Sequence, residues 1–264
     1  MKRAFCVTAA LAASAAGLCG QTDSRPAVRG YLDSAQTSAV LRIVPAAPQT
    51  GDARFEADMA IFRKTRSLEG SGRWALAQSD DNLSVAGLLH AFSCSLGPAL
   101  TPDNAPKLAA LIRRANADAT AASNTIKNHY QHKRPFQVAA GDVCLSAEGK
   151  ANLERSPDYP SGHTTLSWET GLVLAEVSPQ NAIAVLARAR AYGQSRVVCG
   201  VHNLSAVEAG WMTASAVFAM QASSAEFRKD LESARVELAA LKETLKEKPG
   251  WCEAEGRTLA KDPY

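Results

Sequence analysis

Apolar residues recur along most of this chain at the three- and four-residue spacing of a helix, not at the alternation of a half-buried strand. Phe55, Met59 and Phe62 share one face of a segment whose other face is charged, which predicts a helix over 54–68. Further helices are predicted over 82–96 and over 104–133, the second long, alanine-rich and ended by Pro135. The segment 162–177 is largely apolar, which predicts a central helix. Pro179 opens the next, through about 198, and 205–224 follows. The last, 225–248, carries Phe227, Leu231, Leu238, Leu241 and Leu245 on a charged background, an amphipathic face expected to pack on its own domain. Only 39–44 resembles a strand. The pattern predicts an all-α fold, a single-domain helical bundle.

The ends of the chain read differently. Lys2 and Arg3 precede an alanine-rich apolar run from Phe5 to Leu18, and small residues follow, the pattern of a secretory leader over 1–20. Residues 21–53, rich in Pro, Ser, Thr and Gln, read as an irregular arm, 54–250 as the main domain and 251–264 as a tail. Without Lys2 and Arg3 the formal net charge of +3 falls to +1, and no nucleic-acid-binding module is indicated. No later segment has the uninterrupted apolar run of a membrane span. Export implies an oxidising compartment, and cleavage after Cys19 leaves Cys94, Cys144, Cys199 and Cys252, enough for two disulfides. Cys144–Cys199 is the preferred pair, because both flank the chemistry-bearing segments. No C-x-x-C or other metal-binding pattern appears, so neither metal nor cofactor is expected.

Of five histidines, His90 and His129 have no neighbours that suggest chemistry, and His132, beside Lys133 and Arg134, reads as the solvated basic end of a helix. Lys127 and Arg134 are expected on one helical face, a point charge and a forked guanidinium suited to a phosphate, although the same spacing fits helix-dipole compensation. "YPSGH" places Ser161, Gly162 and His163 at a helix start where backbone N–H groups favour an anion. Arg196 precedes His202 by six residues, with Gly200 allowing a bend. Ser205 and Glu208 then read as a capping box opening the next helix.

Three stretches together, "KNHYQHKRP" (127–135), "PSGH" (160–163) and "SRVVCGVH" (195–202), resemble the three-part signature of the type 2 phosphatidic acid phosphatase superfamily. Within it the chain is similar to the bacterial class A non-specific acid phosphatases, over most of its length beyond the leader. The resemblance implies metal-independent hydrolysis of phosphomonoesters in the periplasm. His202 is then the nucleophile and His163 the acid that protonates the leaving alcohol. Lys127, Arg134, Ser161, Gly162 and Arg196 hold the phosphoryl oxygens. The partners implied are phosphomonoesters and inorganic phosphate, with a homo-oligomer allowed. Vanadate-dependent haloperoxidases share this type of site, but the likeness outside the motifs points to phosphatases. One departure stands out. The family carries an aspartate four residues after the nucleophile, which accepts Nδ1–H of that histidine. Here the position is Ala206, and Glu208 points elsewhere on the helix. Two readings follow: a phosphatase, impaired if nothing replaces that acid, or a phosphate-binding protein with little or no turnover.

Overall fold

The computed structural model describes residues 28–264; the expected leader lies outside the described residues. In chain order the helices are α1 (Ser34–Ala39), α2 (Ala53–Thr65), α3 (Gly72–Ser79), α4 (Val85–Leu96), α5 (Pro106–Tyr130) and α6 (Ala147–Glu154). They continue with α7 (Gly162–Val177), α8 (Ala182–Val198), α9 (Leu204–Gln221), α10 (Ala225–Thr244) and α11 (Cys252–Leu259). No strand occurs among the described residues, so the fold is all-α.

Most predicted helices form with shifted ends. The 54–68 helix tightens into a 3₁₀ turn at Arg66–Leu68. The 82–96 helix starts later, where the Ser84 side chain accepts from Gly87 N–H. The strand-like 39–44 stretch is the end of α1 and a 3₁₀ turn, Val40–Arg42. Its two valines are both buried, Val40 in the 3₁₀ turn and Val44 just beyond it, so the burial here follows a turn and not a strand alternation. The short helices α1, in the stretch expected to be an irregular arm, α3, α6 and α11, in the expected tail, have no counterpart among the predicted elements; at six to eight residues each they carry too few turns to show a period.

Two departures matter for the site. Helix α5 stops at Tyr130, with Gln131 in the left-handed cap conformation at φ 47°. Arg134 therefore lies beyond the helix and does not share a helical face with Lys127. Helix α9 is not opened by a Ser205–Glu208 capping box. Asn203 stands at its N-cap without a side-chain bond. Asp58 of α2 accepts from the Ser205 backbone N–H and hydroxyl instead, while Glu208 pairs with Arg54. A carboxylate from another element thus meets the positive end of α9.

Helix α7 runs through the middle, packed against α5, α8 and α9. One side of the core holds Leu88, Leu89, Phe92, Leu108, Ile112, Leu174, Val185 and Phe227. The other is built from small residues, Ala119, Ala122, Ala206 and Ala209, around Ile126, Tyr159 and Val217. Small side chains let α5 and α9 approach the start of α7 closely. Gly210 is needed there: a Cβ would meet Thr164 Cβ at 2.9 Å and the Ser161 carbonyl at 3.0 Å. Helix α10 buries Phe227, Ala234 and Leu238, so the amphipathic face does pack on its own domain. Removing a fully buried ring such as Phe227 costs about 3–5 kcal/mol. The disulfides are Cys144–Cys199, as expected, and Cys94–Cys252, which ties α4 to α11.

Candidate active site

The turn after α8 brings the chain to His202. Gly200 makes it possible with φ +78°, a conformation side-chain-bearing residues rarely adopt. The Arg66 guanidinium closes over the same turn, donating to the carbonyls of Val197 and Val198. His202 is then almost wholly enclosed, 2% exposed. Its Nδ1 lies 2.7 Å from Asp158 Oδ1 and its Nε2 lies 3.1 Å from Arg134 Nη1.

These two contacts fix the tautomer. A guanidinium only donates, so Nε2 must be the acceptor with its lone pair free. The proton therefore sits on Nδ1 and is donated to Asp158. Burial and the neighbouring Arg134 hold the His202 pKa well below its ordinary value. Burial alone would raise the Asp158 carboxyl; bonds from His132 and His202 outweigh it and hold the group well below the usual carboxylate range. Nε2 of His202 is thus neutral, unprotonated and aimed at a cation.

Arg134 is set by the loop after α6. Its Nε donates to the carbonyls of Leu153 (3.0 Å) and Ser156 (2.7 Å), and Nη1 to Val201 O (2.7 Å). Lys127, in the last turn of α5, donates to Pro157 O. Burial and nearby Arg134 lower its pKa to about 7. Ser161 caps α7, its hydroxyl oxygen accepting from Thr164 N–H (3.3 Å). Its own hydroxyl proton remains to donate. His163, in the first turn of α7, places Nε2 3.1 Å from Asp81 O and 3.3 Å from Asp81 Oδ1. Burial and Arg196 lower its pKa to about 4, against the opposing pull of Asp81. Arg196, in the last turn of α8, is wholly buried and reaches Asp81 Oδ1 at 2.7 Å.

A cleft of about 210 Å³ collects Lys127, Arg134, Gly162, His163 and His202, with Leu83, Leu153 and Leu166 around them. Ser161 and Arg196 lie behind this lining rather than in it. The arrangement offers one unprotonated nucleophilic nitrogen, a second imidazole, and cations that neutralise a phosphoryl group.

Residues 109–228 match the PAP2 superfamily. An acid phosphatase of Zymomonas mobilis subsp. mobilis is 40% identical over 194 residues, 73% of each chain. A non-specific acid phosphatase of Providencia stuartii is 35% identical, over 80% of this chain and 86% of its own. One from Salmonella typhi is 33% identical, over 74% and 78% respectively. The chain belongs to the PAP2 superfamily.

In this PAP2 protein the site includes several residues beyond those that the three motifs assign to it. His132 is not a solvated helix end. It is largely buried, with Nδ1 3.3 Å from Asp158 Oδ2 and Nε2 2.9 Å from Pro48 O. Asp158, on His202, and Asp81, on Arg196, lie outside the motifs. Asp158 stands two residues before Pro160, the proline that opens PSGH, and this adjacency was the available clue. Asp81 sits beside Asp80, which is held by Arg188 (2.6 Å) and Ser195 (2.6 Å), so the segment facing His163 and Arg196 is rigidly seated.

Proposed function

We propose that this protein is an exported acid phosphatase that hydrolyses phosphomonoesters through a phosphohistidine intermediate. One observation carries the reading: His202 is held between a carboxylate on Nδ1 and a guanidinium facing Nε2, so its lone pair points into a cationic cleft. The relatives named acid phosphatase support the same chemistry. Lys127, Arg134 and the Gly162 amide, which line the cleft, bind the phosphoryl oxygens, joined by the Ser161 hydroxyl and Arg196 from just behind that lining. His202 Nε2 attacks phosphorus as the ester bond breaks, and protonated His163 gives its proton to the departing alkoxide. Neutral His163 then takes a proton from water, whose oxygen attacks the phosphohistidine and releases phosphate and free His202. A phosphoryl dianion beside His163 raises the proton affinity that burial lowers, which favours the acid form in the complex. No step calls for a metal.

The second reading, a phosphate binder without turnover, rested on Ala206. The carboxylate of Asp158 on His202 Nδ1 supports turnover instead. Two disulfides fit an oxidising compartment such as the periplasm, and among the described residues no helix is long and apolar enough to cross a membrane. The test is hydrolysis of p-nitrophenyl phosphate at acid pH with EDTA present, alongside quench-trapping of an acid-labile phosphoenzyme. Wild type should turn over and trap label; His202→Ala should do neither. Wild type that binds phosphate but matches His202→Ala in rate would sink the enzyme reading.

A further inference from the structure

The geometry points to Asp158, itself locked by His132, as the positioning residue for the nucleophile, in place of the carboxylate that the family carries at position 206. The inference rests on His202 being the nucleophile.

Asp158 is fully buried and every hydrogen bond its carboxylate makes is to a donor. Oδ1 accepts from His202 Nδ1 at 2.7 Å and from the Asn203 backbone N–H at 3.4 Å. Oδ2 accepts from Asn203 Nδ2 at 2.8 Å and from His132 Nδ1 at 3.3 Å. The Asp158 backbone N–H donates in turn to His132 O at 2.8 Å. His132 is anchored at its far side by Pro48 O, 2.9 Å from Nε2. A carbonyl and a carboxylate both only accept, so His132 satisfies both as an imidazolium. The result is a line of three side chains, His132–Asp158–His202, with a cation at its outer end.

Position 206 has no such capacity. Ala206 is fully buried among Tyr159, Ala209 and Ile126, and its carbonyl accepts from Ser161 N–H at 2.8 Å. The carboxylate that sets the nucleophile's tautomer has therefore moved from the first turn of α9 to the loop before α7. It now carries a second histidine that the third motif does not include. Holding a reactive imidazole through its other nitrogen is the usual task of such a carboxylate, and losing it leaves the ring in the wrong tautomer.

The experiment compares wild type, Asp158→Asn, Asp158→Ser, His132→Gln and the exchange variant Asp158→Ser/Ala206→Asp, with folding checked by thermal melts. Asp158→Asn should lower kcat by about 10²–10⁴-fold while the inhibition constant of inorganic phosphate changes only a few-fold. His132→Gln should give a smaller fall in kcat, about tenfold, with the same split. The exchange variant should regain at least tenfold over Asp158→Ser, a rescue that a merely structural role would not show. Nitrogen-15 spectra of wild type should show His202 protonated on Nδ1 and bare on Nε2, which tests the assignment even if Asp158 variants fold poorly. A folded Asp158→Asn within threefold of wild-type kcat would overturn the inference, as would the opposite tautomer. A folded, phosphate-binding exchange variant no faster than Asp158→Ser would do the same. Inactivity of wild type itself would instead count against the phosphatase reading.

Discussion

The Asp81 carboxylate lies 2.7 Å from Arg196 Nη2 and 3.3 Å from His163 Nε2, so a fixed negative charge already sits on an arginine assigned to phosphate. Arg196 is fully buried and its Nε has no partner among the described residues, which leaves a guanidinium with unused donor capacity. A phosphoryl group and Asp81 compete for it. Asp81 is 40% exposed at its side chain, so solvent screens the competition. Asp81→Asn should therefore tighten inhibition by inorganic phosphate by roughly threefold to fivefold. It should also move the alkaline limb of the rate profile to lower pH, because Asp81 supports the proton on His163. Competitive inhibition measured across acid pH checks both.

Lys127 predicts a second pH effect. With its pKa lowered to about 7, it loses its charge as pH rises through neutrality. KM should rise above pH 7 as the cleft loses one of its cations. Lys127→Arg keeps its charge throughout, so the rise in KM should disappear even where the longer, planar guanidinium fits the site less well and lowers kcat. Initial-rate kinetics from pH 5 to 9 separate the two quantities.

Stability should fall on acidification, even though an acid rate optimum is expected. His163 and His202 are neutral when folded, with pKa values below the ordinary 6.5. Unfolded chains take up those protons below that value and folded ones do not, so stability drops as pH falls from 6.5 toward about 4, by up to about 1.4 kcal/mol per unit per group. Asp158, whose carboxyl is depressed, adds to the loss as pH falls below the ordinary carboxylate range. Thermal melts should show Tm declining over this interval, with inorganic phosphate restoring part of it by binding the folded state.

Glu169 acts with the opposite sign. It lies wholly inside α7's packing, neither carboxyl oxygen has a partner among the described residues, and burial raises its pKa well above the ordinary value. The unfolded chain releases this proton above about pH 4.5 while the folded one retains it, so Glu169 costs stability increasingly as pH rises. Glu169→Gln should raise Tm at pH 7 and change it little at pH 4.

Cys144–Cys199 closes a loop with a sequence separation of 55, and Cys199 sits three residues before His202. Chain-entropy reasoning assigns such a bridge about 4 kcal/mol. Cys144→Ser/Cys199→Ser should lower denaturant stability by about 2–5 kcal/mol. Activity should fall as well, since Val198 and Val201 flank the bridge in the cluster beneath His202.

The helices and the three motifs were legible because each rests on local pattern: apolar period, a proline stop, a Ser-Gly helix start. The supports of the site were not. Arg134 reaches its place only because α5 ends in a left-handed residue at Gln131, which sequence pattern gave no reason to expect. Asp58 caps α9 from 147 residues away, and Asp158 holds His202 from 44 away. Contacts of that separation exist only after packing, and a single chain read in order offers no periodicity that reports them. The empty-looking Ala206 shows the cost: a missing carboxylate was visible in the motif, while its replacement was not.

The two disulfides form nested rings. The ring closed by Cys94 and Cys252 contains the one closed by Cys144 and Cys199, and Lys127, Arg134, Asp158, His163, Arg196 and His202 all lie within the outer ring. A single peptide-bond cut anywhere between residues 95 and 251 therefore separates none of these residues from the rest. Proteases meet exposed loops first, and a molecule nicked there keeps these residues in one covalent piece.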